Sequence, residues 1–488
     1  DFCLSRGLGD VYKRQVWGAA KIPHINRRIL ASMLGRAEET IRLIELSVGG
    51  GFGARGEFYP EDYLIPWCAI ALRRTVAWTE DREEHLRSTN HSREQTHRIA
   101  LALRSDGTFL ALRDDLVNDT GAYVRTHASV VPAMTAALLP GPYRWSGYRC
   151  RVRHVVTNKT PAGTYRAPGR YEATLARERI IDIAAHRLGV DPSELRRRNL
   201  VSAADMPYAT GTHTDGHPIV YDSGDYELML DRALERFDYE AMCRWRDEGD
   251  DQTRRRGVGL AMFVEKSGIG GWEYARVGLS STGRPVVRTG TASLGQGVQT
   301  VLAQICAEHL GLPYEDIWVE HVDTAKVPDG MGSFGSRATS LGGAAVSRAA
   351  GGLRERILDA AARRLEVAPE DLEIARDRVV VRGTSAAVML VELVQDARAA
   401  TALARGEEPG LACEAYFEVE DMSFPYGVHC AAVEVDIETG GVRVERYAVG
   451  YDVGRAVNPM LVEGQIVGGV AQGVGGALLE HLAYDRHG

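Results

Sequence analysis

The sequence predicts an α+β fold built from two related domains, and three observations lead to this expectation. Segments that alternate apolar and polar residues, as half-buried strands do, lie beside segments of helical periodicity. Asp106-Gly107 separates two such strands and is a hairpin signal. Residues 258–488 repeat the style of residues 16–243, with strands, a glycine-rich loop, a helix and further strands. Because hairpins interrupt any steady strand–helix alternation, a single doubly wound parallel sheet is not expected.

The composition is that of a globular chain with more than one domain. Its 488 residues exceed the roughly 100–200 that one domain takes. The 58 basic and 66 acidic residues give a net charge of −8, so we expect no basic face for nucleic acid. The run Arg196-Arg197-Arg198 follows Glu194, and we interpret it as a solvated helix end, with an anion contact as the alternative.

The seven cysteines are scattered, and no two have the CxxC spacing of a zinc or redox site. We therefore expect free thiols in a reducing cytoplasm, with neither an iron–sulfur centre nor a disulfide framework in this chain. No apolar run reaches the roughly 20 residues that cross a bilayer, and no signal segment opens the chain. A membrane span is not expected.

Shifts in composition set the predicted domain boundaries. Residues 1–15 continue no periodic pattern and resemble translated adapter sequence, so we set them apart as a non-native segment. The first domain is predicted over 16–243 and the second over 258–488. Between them, 244–257 is dense in alternating charge, which is typical of a linker. The last residues run from strand-like sequence into a turn, and we expect a chain truncated at its C-terminus.

The individual elements follow from periodicity and capping residues. Asp191 is placed to cap the helix that Pro192 opens. In chain order we expect a helix over 26–34, strands over 41–48, 73–79, 97–104 and 109–117, helices over 171–188 and 191–199, a strand over 286–292, and helices over 298–310 and 342–350.

The first glycine-rich loop directly follows a predicted strand. Its glycines, Gly51-x-Gly53-x-x-Gly56, match the dinucleotide fingerprint, so a Rossmann site for NAD or FAD is one alternative. In that fingerprint the third glycine lies inside the opening helix, whereas Pro60 looks like the helix start here. A backbone cradle for another anion and a tight turn without a ligand stay open as well.

Two further loops precede predicted helices. Gly295-Gln296-Gly297 offers backbone N–H donors and an amide side chain, which suits a polar heterocycle or an oxo ligand. Gly335-Ser336 lies beside Arg337, and together they form a candidate phosphate or pyrophosphate seat. The alternative for the loop of Gly335-Ser336 is a capped helix with a small packing face.

Two polar side chains complete the set of candidates. Gln465 belongs to 458–476, where glycines are dense enough to indicate either helix packing or close approach of a large cofactor. Arg166 lies in a loop between a strand and a helix. It is either a surface charge or a bidentate clamp for carboxylate, carbonyl or oxo groups.

Loops of this kind in both predicted domains suit a long polar cofactor gripped mainly through backbone atoms. The ordered motifs GGGFG, YRAPGR with DPSELRRRN, GQG, SRAT, and NP with EGQ resemble one family. It is the molybdopterin-binding large subunit of the xanthine dehydrogenase, aldehyde oxidase and aerobic carbon monoxide dehydrogenase family. The resemblance runs over residues 16–488.

The resemblance implies two related molybdenum-cofactor-binding domains, with the metal carried by a pterin dithiolene and no direct protein ligand. Gln296 would face an oxo or sulfido ligand, and Arg166 would border the substrate. Bacterial members usually carry the cytosine dinucleotide form of molybdopterin. By motif matching, the cofactor-binding residues would be Gly51, Phe52, Gly53, Gly295, Gln296, Gly297, Gly335, Ser336 and Gln465.

The implied activity is the hydroxylation of an aldehyde, an N-heterocycle or a similar small molecule, with water as the oxygen source. Electrons would leave through iron–sulfur and FAD-binding subunits of a heteromeric complex. The family's base, a glutamate in a GxGE-type motif, has no match in this sequence. We therefore expect it beyond Gly488, and we expect this fragment to be inactive alone.

One departure from the family concerns carbon monoxide. Members that oxidise it at a molybdenum–copper centre carry a cysteine in the loop after YR, where Ala167-Pro168 stands here. Without a thiolate there is no soft ligand for Cu(I), so we do not expect carbon monoxide oxidation. Besides a Rossmann-type NAD or FAD enzyme, a non-catalytic assembly or binding chain stays open as an alternative function.

Overall fold

The computed structural model describes residues 2–6, 14–18, 20–214, 216–249 and 251–486. Over these ranges the chain forms two compact units, each assembled from segments that are distant in sequence. Unit 1 contains the described residues of 1–82, 267–422 and 457–465. Unit 2 contains those of 83–266, 423–456 and 466–488.

The strands and helices are numbered in chain order. The strands are β1 (Phe2–Arg6), β2 (Arg14–Gly18), β3 (Ile41–Glu45), β4 (Val76–Trp78), β5 (Gln95–Leu103), β6 (Phe109–Asp119), β7 (Gly147–Val155), β8 (Tyr208–Thr214), β9 (His217–Tyr221), β10 (Arg254–Val264), β11 (Trp272–Leu279), β12 (Pro285–Thr289), β13 (Trp318–Val319), β14 (Leu372–Ala375), β15 (Arg378–Val381), β16 (Ala387–Met389), β17 (Ala412–Glu418), β18 (Tyr426–Asp436) and β19 (Val442–Asp452). The helices are α1 (Pro23–Leu34), α2 (Pro60–Leu72), α3 (Arg82–Ser88), α4 (Val130–Leu138), α5 (Arg170–Leu188), α6 (Pro192–Arg197), α7 (Tyr226–Phe237), α8 (Tyr239–Asp247), α9 (Val298–Leu310), α10 (Gly343–Leu365), α11 (Leu390–Asp396), α12 (Ala399–Ala404) and α13 (Pro459–Leu478).

Unit 1 contains three sheets, with strand orders β3-β2-β1-β4, β13-β12-β11-β17 and β14-β15-β16. The pairs β2/β3 and β12/β13 are parallel, and the other pairs are antiparallel. Helices α9 and α10 contribute most of the main core, which includes the fully buried Leu302, Val346 and Leu353. This core holds the starts of both helices at fixed places.

Unit 2 contains the sheets β5-β6-β7, β8-β9 and β10-β18-β19. The pair β6/β7 is parallel, and the other pairs are antiparallel. Both units thus combine hairpins, isolated parallel pairs and helices. The α+β prediction is confirmed, and no sheet among the described residues is a doubly wound parallel one.

Several local predictions are confirmed. The helix expected over 298–310 is α9. Gly107 has a φ of +88° in the β5–β6 hairpin, where the Thr108 amide donates to the Asp106 carboxylate. Asp191 accepts hydrogen bonds from the amides of Ser193 and Glu194 and so caps α6, which begins at Pro192.

Other elements differ from the predicted bounds. The strand expected over 41–48 ends at Glu45, because the Glu45 backbone and side chain both bond to Val322. The strand expected over 73–79 is only β4, since α2 extends to Leu72. The helix expected over 342–350 is the much longer α10. The strand-like sequence expected among the last residues has no regular structure over 481–485.

The interpretation of Arg196 as part of a solvated helix end is wrong. Its side chain is fully buried, and its guanidinium bonds to the carboxylates of Glu178 and Asp182. Arg177 donates to the same Glu178 carboxylate at 2.8 Å, and Tyr143 adds a phenol hydrogen bond. Burial of the whole group raises the pKa of Tyr143, whereas the two guanidinium groups lower the pKa of Glu178. Of the arginine run, only Arg196 enters this buried ion network.

The predicted domain boundaries stay predictions. The segment 244–257, interpreted as a linker, contains the end of α8 and the beginning of β10. Of the segment 1–15 set apart as non-native, residues 2–6 form β1, residues 14 and 15 begin β2, and residues 1 and 7–13 lie outside the described residues. None of the described helices combines the length and apolarity that would let it cross a bilayer.

Candidate functional site

The loop after β3 is shaped by unusual backbone angles. Phe52 has a φ of +48° and Gly53 a φ of +105°, and the Phe52 side chain is 52% exposed. Arg55 Nε donates to the Gly50 carbonyl at 3.2 Å and closes the loop on itself. Burial lowers the pKa of Arg55. A non-glycine residue in the left-handed region is uncommon, so the position of Phe52 marks a constrained loop.

This loop is not a dinucleotide fingerprint. Gly56 ends a single 3-10 turn, and α2 begins only at Pro60, as the sequence predicts. The Asp62 carboxylate accepts the Tyr59 amide at 2.8 Å and caps that helix. Burial raises the pKa of Asp62 to about 6. Since the third glycine does not lie within a helix that packs on the strand, the Rossmann alternative is not supported.

The second loop connects β12 to α9. Gly295 and Gly297 have φ values of +90° and +80°, and Gly297 caps α9 in the left-handed conformation. Gln296 lies between them and bonds to its own loop: Oε1 accepts the Leu294 amide at 2.6 Å, and Nε2 donates to the Ala292 carbonyl at 3.0 Å. The Gln296 amide therefore fixes the shape of the loop as well as presenting a polar group.

These two loops and the beginning of α13 converge within unit 1. A Cβ added at Gly51 would lie 2.8 Å from Cδ1 of Leu294, and one added at Gly295 would lie 2.5 Å from the Val48 carbonyl oxygen. A Cβ at Gly297 would lie 2.9 Å from the side chain of Leu461. Glycine is required at Gly295 because backbone lies in the place of a Cβ, whereas Gly51 and Gly297 lie against leucine side chains.

The third loop, before α10, joins the same region. The Ser333 hydroxyl donates to the Ala292 carbonyl at 2.5 Å, which ties this loop to the second. Gly335 and Ser336 have φ values of +54° and +55°, and Ser336 is exposed. The Ser336 carbonyl accepts a hydrogen bond from Ser267 at 3.0 Å. Gly335-Ser336 thus forms a turn beside the second loop, with Ser336 exposed.

Arg337 is not part of a phosphate seat. Its side chain is fully buried and bonds to the Glu273 carboxylate at 2.5 Å. The same guanidinium donates to backbone carbonyls of Gly332 at 2.8 Å and Ile269 at 2.9 Å, and to Trp272. Burial raises the pKa of Glu273. The guanidinium of Arg337 bonds to protein groups within unit 1, so it stabilises the loop that contains Gly335-Ser336.

Gln465 lies on α13 and is exposed. Asn458 fixes the beginning of this helix: its side chain accepts the Leu461 amide at 3.0 Å and donates to Gln304 of α9 at 3.0 Å. We did not predict this cap, although Asn directly before Pro459 is a helix-start signal. Through it, the helix that carries Gln465 is anchored to the helix that follows Gln296.

Arg166 lies in unit 2, in the loop before α5. Its guanidinium donates to Oε1 of Gln472 on α13 at 3.4 Å. Gly468 and Gly469 of the same helix lie beside it, since Cβ atoms there would be 3.8 and 3.6 Å from its nitrogens. Burial lowers the pKa of Arg166. The sequence places Gln472 in the glycine-rich stretch 458–476 but gives it no role, because only the fold brings it beside an arginine 306 residues away.

The donor set in unit 1 fits a large polar cofactor held through backbone atoms. The first N–H groups of α9 have no acceptor within the helix. Glycines with positive φ surround them, and amide side chains stand at Gln296 and Gln465. No three His, Cys, Asp or Glu side chains within the described ranges lie close enough together to hold a metal ion. The fit therefore depends on backbone donors and amides.

Comparison with known proteins also indicates a large polar cofactor. Residues 9–200 and 232–488 each match a family described as a molybdopterin cofactor-binding domain. The chain is 41% identical over 477 residues to the gamma subunit of the 6-hydroxypseudooxynicotine dehydrogenase complex of Paenarthrobacter nicotinovorans, which covers 97% of the chain and 59% of that relative. It is 35% identical to the nicotine 6-hydroxylase large subunit of the same organism, over all of the chain and 61% of that relative.

The fold has a solved counterpart in quinoline 2-oxidoreductase from Pseudomonas putida 86. The TM-score is 0.89 at 33% identity, and the match covers 99% of the chain and 63% of that structure's chain. The chain therefore spans about 60% of the length of the curated relatives it matches.

Proposed function

Since this chain belongs to the molybdopterin cofactor-binding family, we propose that it is the cofactor-binding part of a molybdenum hydroxylase. The observation that carries the proposal is the convergence, within unit 1, of three glycine-rich loops and the beginning of α13. Gly51 packs against Leu294 and Gly295 against Val48, so the loops form one backbone-lined surface.

The cofactor is molybdopterin, and we propose that its holding residues are those implied by motif matching. They are Gly51, Phe52, Gly53, Gly295, Gln296, Gly297, Gly335, Ser336 and Gln465. Backbone N–H groups of the glycine positions would donate to its oxygen and nitrogen acceptors. A primary amide has two N–H donors, so Gln296 Nε2 keeps a second hydrogen after bonding to Ala292. The cytosine dinucleotide form is part of the proposal.

The chemistry that the bound cofactor supplies is transfer of a water-derived oxygen to an electron-poor carbon, with uptake of two electrons. The substrate C–H and one water give C–OH, two protons and two electrons. Arg166 would bind the substrate, because a planar guanidinium that stays charged can hold a ring nitrogen, a carbonyl or a developing negative charge.

The substrate class that we propose is an aromatic N-heterocycle or an aldehyde of similar size. The names of nicotine 6-hydroxylase and quinoline 2-oxidoreductase state pyridine- and quinoline-type substrates for those relatives. Carbon monoxide is not proposed, since Ala167 and Pro168 offer no thiolate for copper.

The electrons would leave through iron–sulfur and FAD-binding subunits. A relative at 41% identity is one subunit of a dehydrogenase complex, and partner subunits of this kind are part of the proposal. A cytoplasmic location, inferred from scattered cysteines that are free wherever the structure describes their side chains, belongs to it as well.

The test is substrate turnover by the full-length parent, co-expressed with its partner subunits in cells that make the bacterial cofactor. Reduction of an artificial electron acceptor should follow addition of nicotine or quinoline, and oxygen-18 from labelled water should appear in the product. Carbon monoxide should give no reduction. A molybdenum-loaded complex that oxidises none of the heterocycles or aldehydes would contradict the proposed activity, and a chain that binds no molybdenum would support a non-catalytic role.

A further inference from the structure

Arg93, which belongs to none of the motifs named above, bonds to the backbone of the loop that contains Arg166. Arg93 lies between α3 and β5 and has a φ of +74°. A non-glycine residue adopts this region only at a conformational cost. Its side chain is 23% exposed and points at the loop before α5. Such a backbone conformation persists only where the surroundings of the residue impose it. Here the partners of the Arg93 side chain do so.

The Arg93 guanidinium binds backbone and carboxylate groups together. Nη2 donates to the Arg166 carbonyl, and Nη1 lies 3.5 Å from the Ala167 carbonyl oxygen. Nη1 also lies 3.3 and 3.4 Å from the two carboxylate oxygens of Glu172, whose side chain is 4% exposed. One planar cation thus joins the loop backbone to the first turn of α5.

Two tyrosine rings enclose the same guanidinium. Its central carbon lies 4.3 Å from the Tyr171 ring centroid and 5.1 Å from that of Tyr165. Cation–π contacts of this length favour a planar guanidinium over an ammonium group. The guanidinium of Arg93 is thus contacted by two rings, two carbonyls and a carboxylate.

The carbonyls that Arg93 binds flank a strained residue. Ala167 has a φ of +55°, which a non-glycine residue adopts only when its surroundings impose it. The preceding side chain, Arg166, extends to Gln472 and the glycine pair of α13. A relaxed Ala167 would change the direction of that side chain.

We propose that Arg93 is a positioning residue, which fixes the Arg166–Ala167 backbone so that the Arg166 guanidinium is presented to the substrate. The proposal rests on the proposed function, in which Arg166 binds the substrate. Arg93 acts through Arg166 and itself touches neither substrate nor cofactor. Lysine cannot replace it, because one ammonium group cannot span two carbonyls and a carboxylate while stacking on two rings.

The first test is a double-mutant cycle in the full-length enzyme complex. Arg93→Lys and Arg93→Gln should each lower kcat/KM roughly ten- to hundredfold, since a misplacement of about 1 Å has effects of that size. In an Arg166→Ala background the same changes should have almost no further effect, because the group that they position is gone. If the Arg93 substitutions lower kcat/KM by the same factor in the Arg166→Ala background as in the parent, the proposal is overturned.

The second test does not depend on activity. In the same complex, hydrogen–deuterium exchange of the peptide over 164–172 should be faster in both Arg93 variants than in the parent. Arg125→Lys is the matched control, because Arg125 also donates to a backbone carbonyl, that of Ser88, and stacks on a tyrosine, Tyr123. It should leave both kcat/KM and this peptide unchanged.

The two tests separate failure of this proposal from failure of the proposed function. Unchanged exchange over 164–172 would overturn the positioning role even in an active enzyme. If the parent complex proves inactive on every heterocycle and aldehyde, the proposed function fails. In that case, faster exchange over 164–172 in the Arg93 variants would still support the claim that Arg93 fixes the backbone of this loop.

Discussion

The two units build their functional loops by different means. In unit 1 the loops around Gln296 depend on glycines, because neighbouring backbone occupies the place where a Cβ would stand, as at Gly295. In unit 2 the loop around Arg166 depends on charged side chains, and a second buried network centred on Glu178 fixes the helix that follows it.

The two regions are therefore sensitive to different kinds of substitution. Where a loop packs through its backbone, a larger side chain in place of glycine is destabilising, because it must enter a close-packed region. A region held by buried charges is damaged by removed charge, because the partner is left buried and uncompensated. Substitutions in the two units therefore test the comparison directly.

The largest effect is expected from Glu178→Gln in unit 2. Two buried guanidinium groups, those of Arg177 and Arg196, would lose their shared counter-charge. The free energy of unfolding should fall by about 3–5 kcal/mol in denaturant titrations. Glu194→Gln is the control, since that carboxylate is 48% exposed in its pair with Arg197, and should cost less than about 1 kcal/mol. Equal losses would contradict the buried network.

Gly295→Ala is the corresponding change in unit 1. The added methyl would meet the Val48 carbonyl oxygen, and the φ of +90° is unfavourable for alanine. The free energy of unfolding should fall by roughly 2–4 kcal/mol. Gly35→Ala separates the two causes, because Gly35 has a φ of +61° with no atom within 4 Å. It should cost only about 1 kcal/mol, and a loss as large as that at Gly295 would show that backbone strain alone matters.

A smaller effect should come from His429 of unit 2. Its Nδ1 lies 2.7 Å from the Tyr447 hydroxyl, and burial lowers the pKa of His429 to about 4. The unfolded chain binds the proton at about pH 6.5, so folding stability is lost as the pH falls from 6.5 towards 4. The parent should lose roughly 2 kcal/mol more than His429→Gln over this window.

The exposed His154 supplies the control for that pH series. His154→Gln is made beside His429→Gln, because the exposed His154 shares the residue type of His429 but not its buried environment. Parallel curves for the parent and His429→Gln would show that His429 is not the residue responsible.

The smallest change in stability is expected at Gln296. Gln296→Ala removes two hydrogen bonds within its loop and should lower the free energy of unfolding by about 1–2 kcal/mol. Turnover per bound molybdenum should fall far more. Gln299→Ala is the control on the helix that follows this loop, since Gln299 donates to the Val319 carbonyl at 3.0 Å. If both variants lose turnover equally, Gln296 has only a structural part.

What the sequence predicts well is local. The helix after Gln296 and the cap at Asp191 depend on glycine, proline and aspartate within a few residues of each other. The helix start at Pro60, four residues after the last glycine of the first loop, is enough to distinguish that loop from a dinucleotide fingerprint. Local signals of this kind are independent of the rest of the chain.

What the sequence fails to predict depends on distant partners. Arg196 looks like a surface charge beside two other arginines, and only the fold buries it against Glu178. The end of β3 at Glu45 depends on hydrogen bonds to Val322, and the orientation of Arg93 depends on its ion pair with Glu172. Such pairings need the tertiary structure, because neither partner differs from an ordinary residue of its own segment.

The most direct test of the cofactor site is molybdenum content per chain in the full-length parent, in Gly295→Ala and in Gly35→Ala. If the converging loops of unit 1 hold the cofactor, the parent and Gly35→Ala should contain close to one molybdenum per chain. Gly295→Ala should retain roughly ten- to hundredfold less when folded to the same extent. A parent without molybdenum, or a Gly295→Ala variant that retains as much as Gly35→Ala, would contradict the claim.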